Sequence, residues 1–304
     1  MRYIYTIIIL TLFAGIGLTA ENQPLNAPQH TGWGKILTPE NTGIATDQVS
    51  WRRIANAGQY FGRAGCGVIG EYFYVFGAMT RSRGQALNWD TEHWQLSTPP
   101  PLGNCNWGSA ATDSNIYLFG RYEDYLISNE VQVFTPDTAG PGGTWTRAAD
   151  YPLNAVGMAA AWDGGNYIYT AGGGNLVSVF DNAYRYDISA DSWTEIASLP
   201  VALEYSGGAF VNGRFHIIGG IEEGGTAHFA YDSWTNSWIS ETAPPHPAYF
   251  ATFNTTHNDR YIFIVGGGGG FHIWNATDMV QVYDALNDSW YAETSLPHAY
   301  GLNS

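Results

Sequence analysis

Short apolar bursts, each closed by glycine or by turn residues, recur along most of the chain. YIYTAGG (Tyr167 to Gly173) ends in a double glycine, AYRYD (Ala183 to Asp187) ends in Tyr-Asp, and SWTEIA (Ser192 to Ala197) opens on Ser-Trp. Bursts of this length, rich in aromatic and β-branched residues and bounded by Gly, Asn, Asp and Pro, predict β-strands joined by tight turns. No window carries a sustained helical period, so helices are a minor component.

The same order of bursts returns. RFHIIGG (Arg214 to Gly220) is followed by Tyr231-Asp232 and Trp238. YIFIVGG (Tyr261 to Gly267) is followed by Tyr283-Asp284 and Trp290. Two markers measure the repeat. The first glycines after the second strands are Gly77, Gly120, Gly172, Gly219 and Gly266, spaced 43, 52, 47 and 47 residues apart. The tryptophans Trp51, Trp94, Trp145, Trp193, Trp238 and Trp290 are spaced 43, 51, 48, 45 and 52. Four short strands in each unit of about 48 residues is the signature of a propeller blade. Five complete units fall at about 61–101, 105–150, 154–199, 204–245 and 249–297, preceded by a lone Trp-led strand at 51–55.

An apolar strand, Gly-Gly, Tyr-Asp and then Trp seven residues after the Tyr resembles the kelch repeat. The match is best in units three to five. Unit one has Gly77-Ala78 for the double glycine and Trp89-Asp90 for Tyr-Asp; unit two has Gly120-Arg121 and Phe134-Thr135. The expected fold is therefore all-β, a kelch-type β-propeller of four-stranded blades over 49–304, five complete and a partial sixth. In such a fold Gly172, Gly173, Gly219, Gly220, Gly266 and Gly267 permit backbone geometry or a close approach that a Cβ would block. Tyr186, Tyr231, Tyr283, Trp145, Trp193, Trp238 and Trp290 supply the large faces that wedge blades together. Kelch propellers commonly close by completing one blade from both termini. The strand at 51–55 then calls for three further strands after Ala299. Either the sequence stops about 40 residues short of them, which is the expectation, or five blades close imperfectly.

Composition adds a compartment and removes a partner class. Residues 1–20 carry Arg2, an apolar run from Ile7 to Leu18 and a small-residue end, the layout of an export signal; a polar linker, 21–48, follows. The mature chain is expected to be secreted or periplasmic, monomeric and without a transmembrane segment. A net charge of −15, with Lys35 the single lysine, repels phosphate backbones and excludes nucleic acid as the main partner. Aligning the second strands of units one and two places Cys105 opposite Gly62 rather than Cys66. That stagger is about 13 Å at strand rise, beyond the roughly 7 Å limit for a bridge. Two free thiols are expected unless a loop curls Cys105 back.

Candidate chemistry is sparse. No metal-binding motif occurs, and His93, His216, His228, His246, His257, His272 and His298 are scattered over the units. No metal, cofactor or catalytic residue is assigned. Ligands of propellers usually meet the face carrying the loops between second and third strands and the links between blades. There the sequence places Arg63, Arg81, Arg83, Arg121, Tyr122, Tyr125, Glu222, His272 and Trp274. Arg beside Tyr and Trp suits a carboxylate-bearing sugar or a partner's acidic loop; the alternative is that these arginines pair with the many local acids. The leading reading is a protein- or glycan-binding scaffold. A second is an enzyme similar to exported kelch-like sialic acid mutarotases, with Arg63 and Arg81 on a carboxylate and Glu204 or Glu222 moving protons. A third, a galactose-oxidase-like copper enzyme, is disfavoured because the chain has no Tyr-His dipeptide and no cysteine in units three to five.

Overall fold

The computed structural model describes residues 18–20, 51–53, 57, 64–77, 82–102, 108–123, 126–249, 255–267, 277–293 and 295–296. Twenty of its strands form five antiparallel four-stranded sheets. Blade 1 is β3 (Gly65–Ile69), β4 (Tyr72–Phe76), β5 (Gly84–Asn88) and β6 (His93–Leu96). Blade 2 is β7 (Gly108–Ala111), β8 (Ile116–Glu123), β9 (Leu126–Pro136) and β10 (Gly143–Ala148). Blade 3 is β11 (Ala159–Trp162), β12 (Tyr167–Ala171), β13 (Ala183–Asp187) and β14 (Ser192–Ile196). Blade 4 is β15 (Ser206–Val211), β16 (Arg214–Gly219), β17 (His228–Asp232) and β18 (Ser237–Ser240). Blade 5 is β19 (Thr255–His257), β20 (Tyr261–Val265), β21 (Val280–Asp284) and β22 (Ser289–Glu293).

The first strands β3, β7, β11, β15 and β19 adjoin one another in that order, which makes them the inner strands of a propeller. The sheets pack face to face through their middle strands. Tyr74 and Phe76 of blade 1 meet Ile116, Leu118 and Phe134 of blade 2. Tyr117 and Phe119 meet Ile168, Tyr184 and Tyr186 of blade 3, and Tyr169 meets Phe215 and Tyr231 of blade 4. Burial of each such ring is worth about 2 kcal/mol or more, so the interfaces between blades are where this repeat array is held together.

Two expectations change. In unit one, β4 pairs with β5 so that Tyr72 faces Asn88 and Phe73 faces Leu87. In blade 3 the matching partners are Asp187 and Tyr186. Leu87-Asn88, not Trp89-Asp90, therefore stands in the Tyr-Asp position. Asn88 does the work of the aspartate: its Oδ1 accepts the Asp90 and Thr91 amides at 3.1 and 2.9 Å, as Asp187 accepts that of Ala190. In unit two the second strand does not stop at Gly120. A bulge between Phe119 and Arg121 lets the hairpin run on to Glu123 and Leu126, so Arg121 and Tyr122 are strand residues.

The lone strand is present as β2 (Trp51–Arg53), paired with β1 (Leu18–Ala20). Residues 297–304, where a further strand was expected to begin, lie outside the described residues. No described helix is long and apolar enough to cross a membrane.

Candidate functional site

Antiparallel pairing puts the loops between second and third strands at the same end of each blade as the links to the next blade. That end is the loop face, and the repeat glycines build it. A Cβ on Gly172 would lie 2.3 Å from the Leu203 carbonyl, on Gly219 2.2 Å from that of Ala248, and on Gly120 2.0 Å from that of Ala155. Each of these carbonyls belongs to the link leaving the same blade, and all three glycines have positive φ. The second glycine then donates its amide to the same oxygen: Gly173 to Leu203 at 2.7 Å and Gly220 to Ala248 at 3.3 Å. The double glycine is thus a seat for the link, as the close-approach reading required.

Other clamps reinforce the seat. Gln132 and Gln281 each hold a link by two hydrogen bonds, accepting an amide and donating to a carbonyl, at Leu102 and His246 respectively. The Glu222 carboxylate accepts the Glu204 amide at 2.9 Å, tying the blade 4 loop to the link before it. Glu222 is therefore engaged as a staple. A Cβ on Gly174 would touch the Glu204 carboxyl carbon at 3.0 Å, so the Glu204 side chain lies against the blade 3 loop.

Arg121 is also engaged. Its guanidinium contacts the Glu123 carboxylate and donates to Glu130 at 2.9 Å. Burial opposes ionisation of Glu130, but the Ser128 hydroxyl and Arg121 outweigh it and hold its carboxyl below the usual range. The alternative reading of the arginines, pairing with local acids, holds here. Tyr122 and Arg83 are partly buried, and the Arg83 carbonyl closes the blade 1 loop by accepting the Gly77 amide. Arg63, Arg81, Tyr125, His272 and Trp274 lie outside the described residues. The structure thus brings Arg121 to Glu123 and Glu222 to Glu204. Cys66 is a free thiol that burial pushes up; Cys105 is outside the described residues. Among the described residues no group of three or more His, Cys, Asp or Glu is arranged to hold a metal.

Sequence reasoning assigned no role to the apolar tips of this face. Leu126 ends the long blade 2 hairpin at 74 % exposure; Leu176 and Val177 crown the blade 3 loop at 67 % and 90 %. In that loop Gly174 bridges to both Val156 and Val179, and Asn175 Oδ1 accepts the Ser178 amide at 3.0 Å.

Five four-stranded blades around common inner strands, with link-seating glycines and interlocked aromatics, define a β-propeller. The Kelch motif family model matches residues 164–200, the third blade. Together with the recurrence of that unit, this makes the chain a kelch-repeat β-propeller. It is similar to Kelch-like protein 23 of Homo sapiens, 28% identical over 204 residues, covering 64% of this chain and 35% of that protein. It is also similar to Kelch-like protein terF of Aspergillus terreus (strain NIH 2624 / FGSC A1156), 24% identical over 262 residues, 76% of this chain and 55% of that protein. A solved structure titled "Structure of YjhT" superposes with a TM-score of 0.68 at 14% identity, over 82% of this chain and 88% of that one. The chain spans 35% and 55% of the lengths of these two curated relatives.

Proposed function

We propose that this propeller is a binding module that takes a protein partner on its loop face. The observation that carries this reading is the set of exposed aliphatic tips, Leu126, Leu176 and Val177, on loops pinned by backbone hydrogen bonds. Apolar side chains standing in water on rigid supports lose little conformational freedom on association. The ion pairs beneath them are internally satisfied, so Arg121 supports the hairpin rather than offering itself to an anion. The fold itself does not dictate a partner. Glycan binding and function outside the cytoplasm belong to the same proposal. Sugar chemistry would fall to Arg63 and Arg81, and export would follow from the leader-like residues 1–20.

The test is affinity capture from the native host with the chain, with Leu126→Asp/Val177→Asp, and with Trp234→Asp on a turn of the opposite face (Trp234 is 96 % exposed). A partner should be retained by the chain and by the Trp234 variant and lost by the double variant, with circular dichroism unchanged. A partner retained equally by all three would place the contact elsewhere. Parallel screening on a glycan array and against acidic sugars decides the carbohydrate arm.

A further inference from the structure

The interface between blades 4 and 5 contains a device that the other blades lack. Three residues before the first repeat glycine, blades 2, 3 and 5 carry Tyr117, Tyr169 and Phe263; blade 4 carries His216. At the third-strand position that faces it diagonally, blades 2, 3 and 5 carry Val131, Ala183 and Val280; blade 4 carries His228. The two imidazoles are 2 % and 3 % exposed. His216 Nδ1 and His228 Nε2 are 3.2 Å apart, and His228 Nδ1 is 2.8 Å from the Thr242 carbonyl.

The carbonyl fixes the protons. It only accepts, so His228 Nδ1 carries the hydrogen and His228 Nε2 is a bare lone pair. That lone pair must accept from His216 Nδ1–H. His216 Nε2 is then the one unprotonated end of the chain, and it is buried without a hydrogen-bond partner. The same Thr242 carbonyl also accepts the blade 5 indole of Trp290 at 2.7 Å. Thr242 begins the link whose Ala248 sits on Gly219. The pair also packs on Tyr283 and Trp290 of blade 5, ring centroids 4.4 and 5.7 Å from His228.

The charged and titratable neighbours are few and occupied. Arg214, on the strand of His216, lies 3.6 Å from Asp232 and 3.7 Å from Glu241. Asp288, in the blade 5 turn, accepts from the Thr242 amide, the Thr242 hydroxyl and the Tyr283 hydroxyl. The Glu241 carboxylate lies 3.4 Å from the same Tyr283 hydroxyl. Burial first, then the other imidazole and Arg214, pull His216 down; the Val211 carbonyl and Asp288 pull weakly the other way. Burial likewise pulls His228 down.

We propose that the His216–His228 pair is an acid-release latch: it seals blade 4 to blade 5 while neutral and opens that junction when it takes up a proton. A proton enters either at His216 Nε2 or at His228 Nε2, the latter by breaking the bond from His216 Nδ1. Either way a buried charge appears that forms no ion pair among the described residues, and it is costly in the junction from which the Thr242 link runs to the loop face. Opening exposes two imidazoles of ordinary affinity, so the opened population grows up to about tenfold per pH unit and per histidine once the pH falls below about 6.5.

The experiment measures amide hydrogen exchange of the full chain from pH 7.5 to 4.5, corrected for intrinsic rates, with His216→Phe/His228→Val alongside. These residues are those blade 5 itself uses at the two positions. The chain should show accelerated opening of β16, β17 and β21 below pH 6.5 relative to β12 and β13, and the double variant should lose that excess. Exchange that accelerates equally in both proteins would overturn the latch. Ring NMR of the unmodified chain gives a second reading that no variant can confound. Both histidines should stay neutral with the proton on Nδ1 down to the onset of opening. A ring that charges above pH 6 with the blades intact would refute it.

Discussion

The indole Nε1 of Trp193 donates to the backbone carbonyl of Ala149 in the preceding blade, 3.0 Å away. The contact recurs as Trp145 to Thr98, Trp238 to Ala197 and Trp290 to Thr242. In the last three junctions the acceptor residue is held from the other side as well. Its amide donates to Asp191, Asn236 or Asp288, and that same side chain accepts the hydroxyl of Tyr186, Tyr231 or Tyr283. The repeat's Tyr and Trp therefore do more than fill space: they clasp the backbone of the neighbouring blade. Trp193→Phe keeps most of the packing and leaves the Ala149 carbonyl without its donor. The expected cost is about 1–3 kcal/mol, read as a lower urea midpoint with unchanged slope.

Within the clasp the carboxylate is the centre and the hydroxyl a spoke. Asp191→Ala orphans both the Tyr186 hydroxyl and the Ala149 amide, and should cost about 2–3 kcal/mol. Tyr186→Phe leaves Asp191 still bound to the amide and should cost about 1 kcal/mol. Blade 2 already lives with Phe134 at that position and Gly143 in place of the acid. There the Gly143 amide donates instead to the Thr98 hydroxyl at 3.2 Å. A double-mutant cycle in chemical denaturation should return a coupling of the same order as the smaller single effect; additivity would show that the two residues act independently.

Two glycines with similar backbones separate conformational strain from close approach. Gly164 and Gly172 have φ of 79° and 71°. A Cβ on Gly164 meets nothing, whereas one on Gly172 would overlap the Leu203 carbonyl. Gly164→Ala should cost about 1 kcal/mol, the left-handed penalty alone. Gly172→Ala should cost at least about 2 kcal/mol more, because the link must lift. Equal losses in thermal unfolding would mean that the link yields freely and that the seat is not rigid.

The five four-stranded blades, the strand order within them and the glycine role were legible because they rest on periodic residue types. The clasp was not. Its acceptors are backbone carbonyls 41 to 48 residues away, which carry no side-chain signature. One signal was available: an Asp or Asn stands two residues before Trp193, Trp238 and Trp290 and nowhere before Trp145. Residue type misled the reading of Trp89-Asp90, since the hairpin partner of Tyr72 is Asn88. Pairing of Arg121 with local acids was one of the two readings left open, but the sequence did not name Glu123, two residues on, and Glu130, across the hairpin, as the partners. The histidine pair was hidden by distance along the chain, although Ile218 facing His228 already sets His216 on its diagonal.

The charge pair of blade 5 gives the last prediction, with its own pH signature. Arg260 donates to both oxygens of Asp284, at 2.8 and 2.5 Å, and Asp284 is 1 % exposed. Burial opposes the Asp284 charge, but Arg260 and the Leu286 and Asn287 donors outweigh it and hold the carboxyl below its usual value. A depressed carboxylate contributes stability that is complete above its unfolded value, about 3.9, and is lost as pH falls through its folded value. The contribution is thus flat from pH 5 to 8. Arg260→Met keeps the contact with Tyr261, over whose ring the guanidinium lies at 4.8 Å, and removes the charge. With Arg260 partly exposed, the loss at pH 7 should be about 2 kcal/mol, below the range for fully buried pairs. In the variant Asp284 loses its counter-charge and protonates more readily. The gap between the two proteins should therefore narrow as pH falls below about 4. Urea midpoints at pH 7 and pH 3 check both halves. A gap that stays constant would mean that Asp284 is held by its backbone and Asn287 donors and not by Arg260.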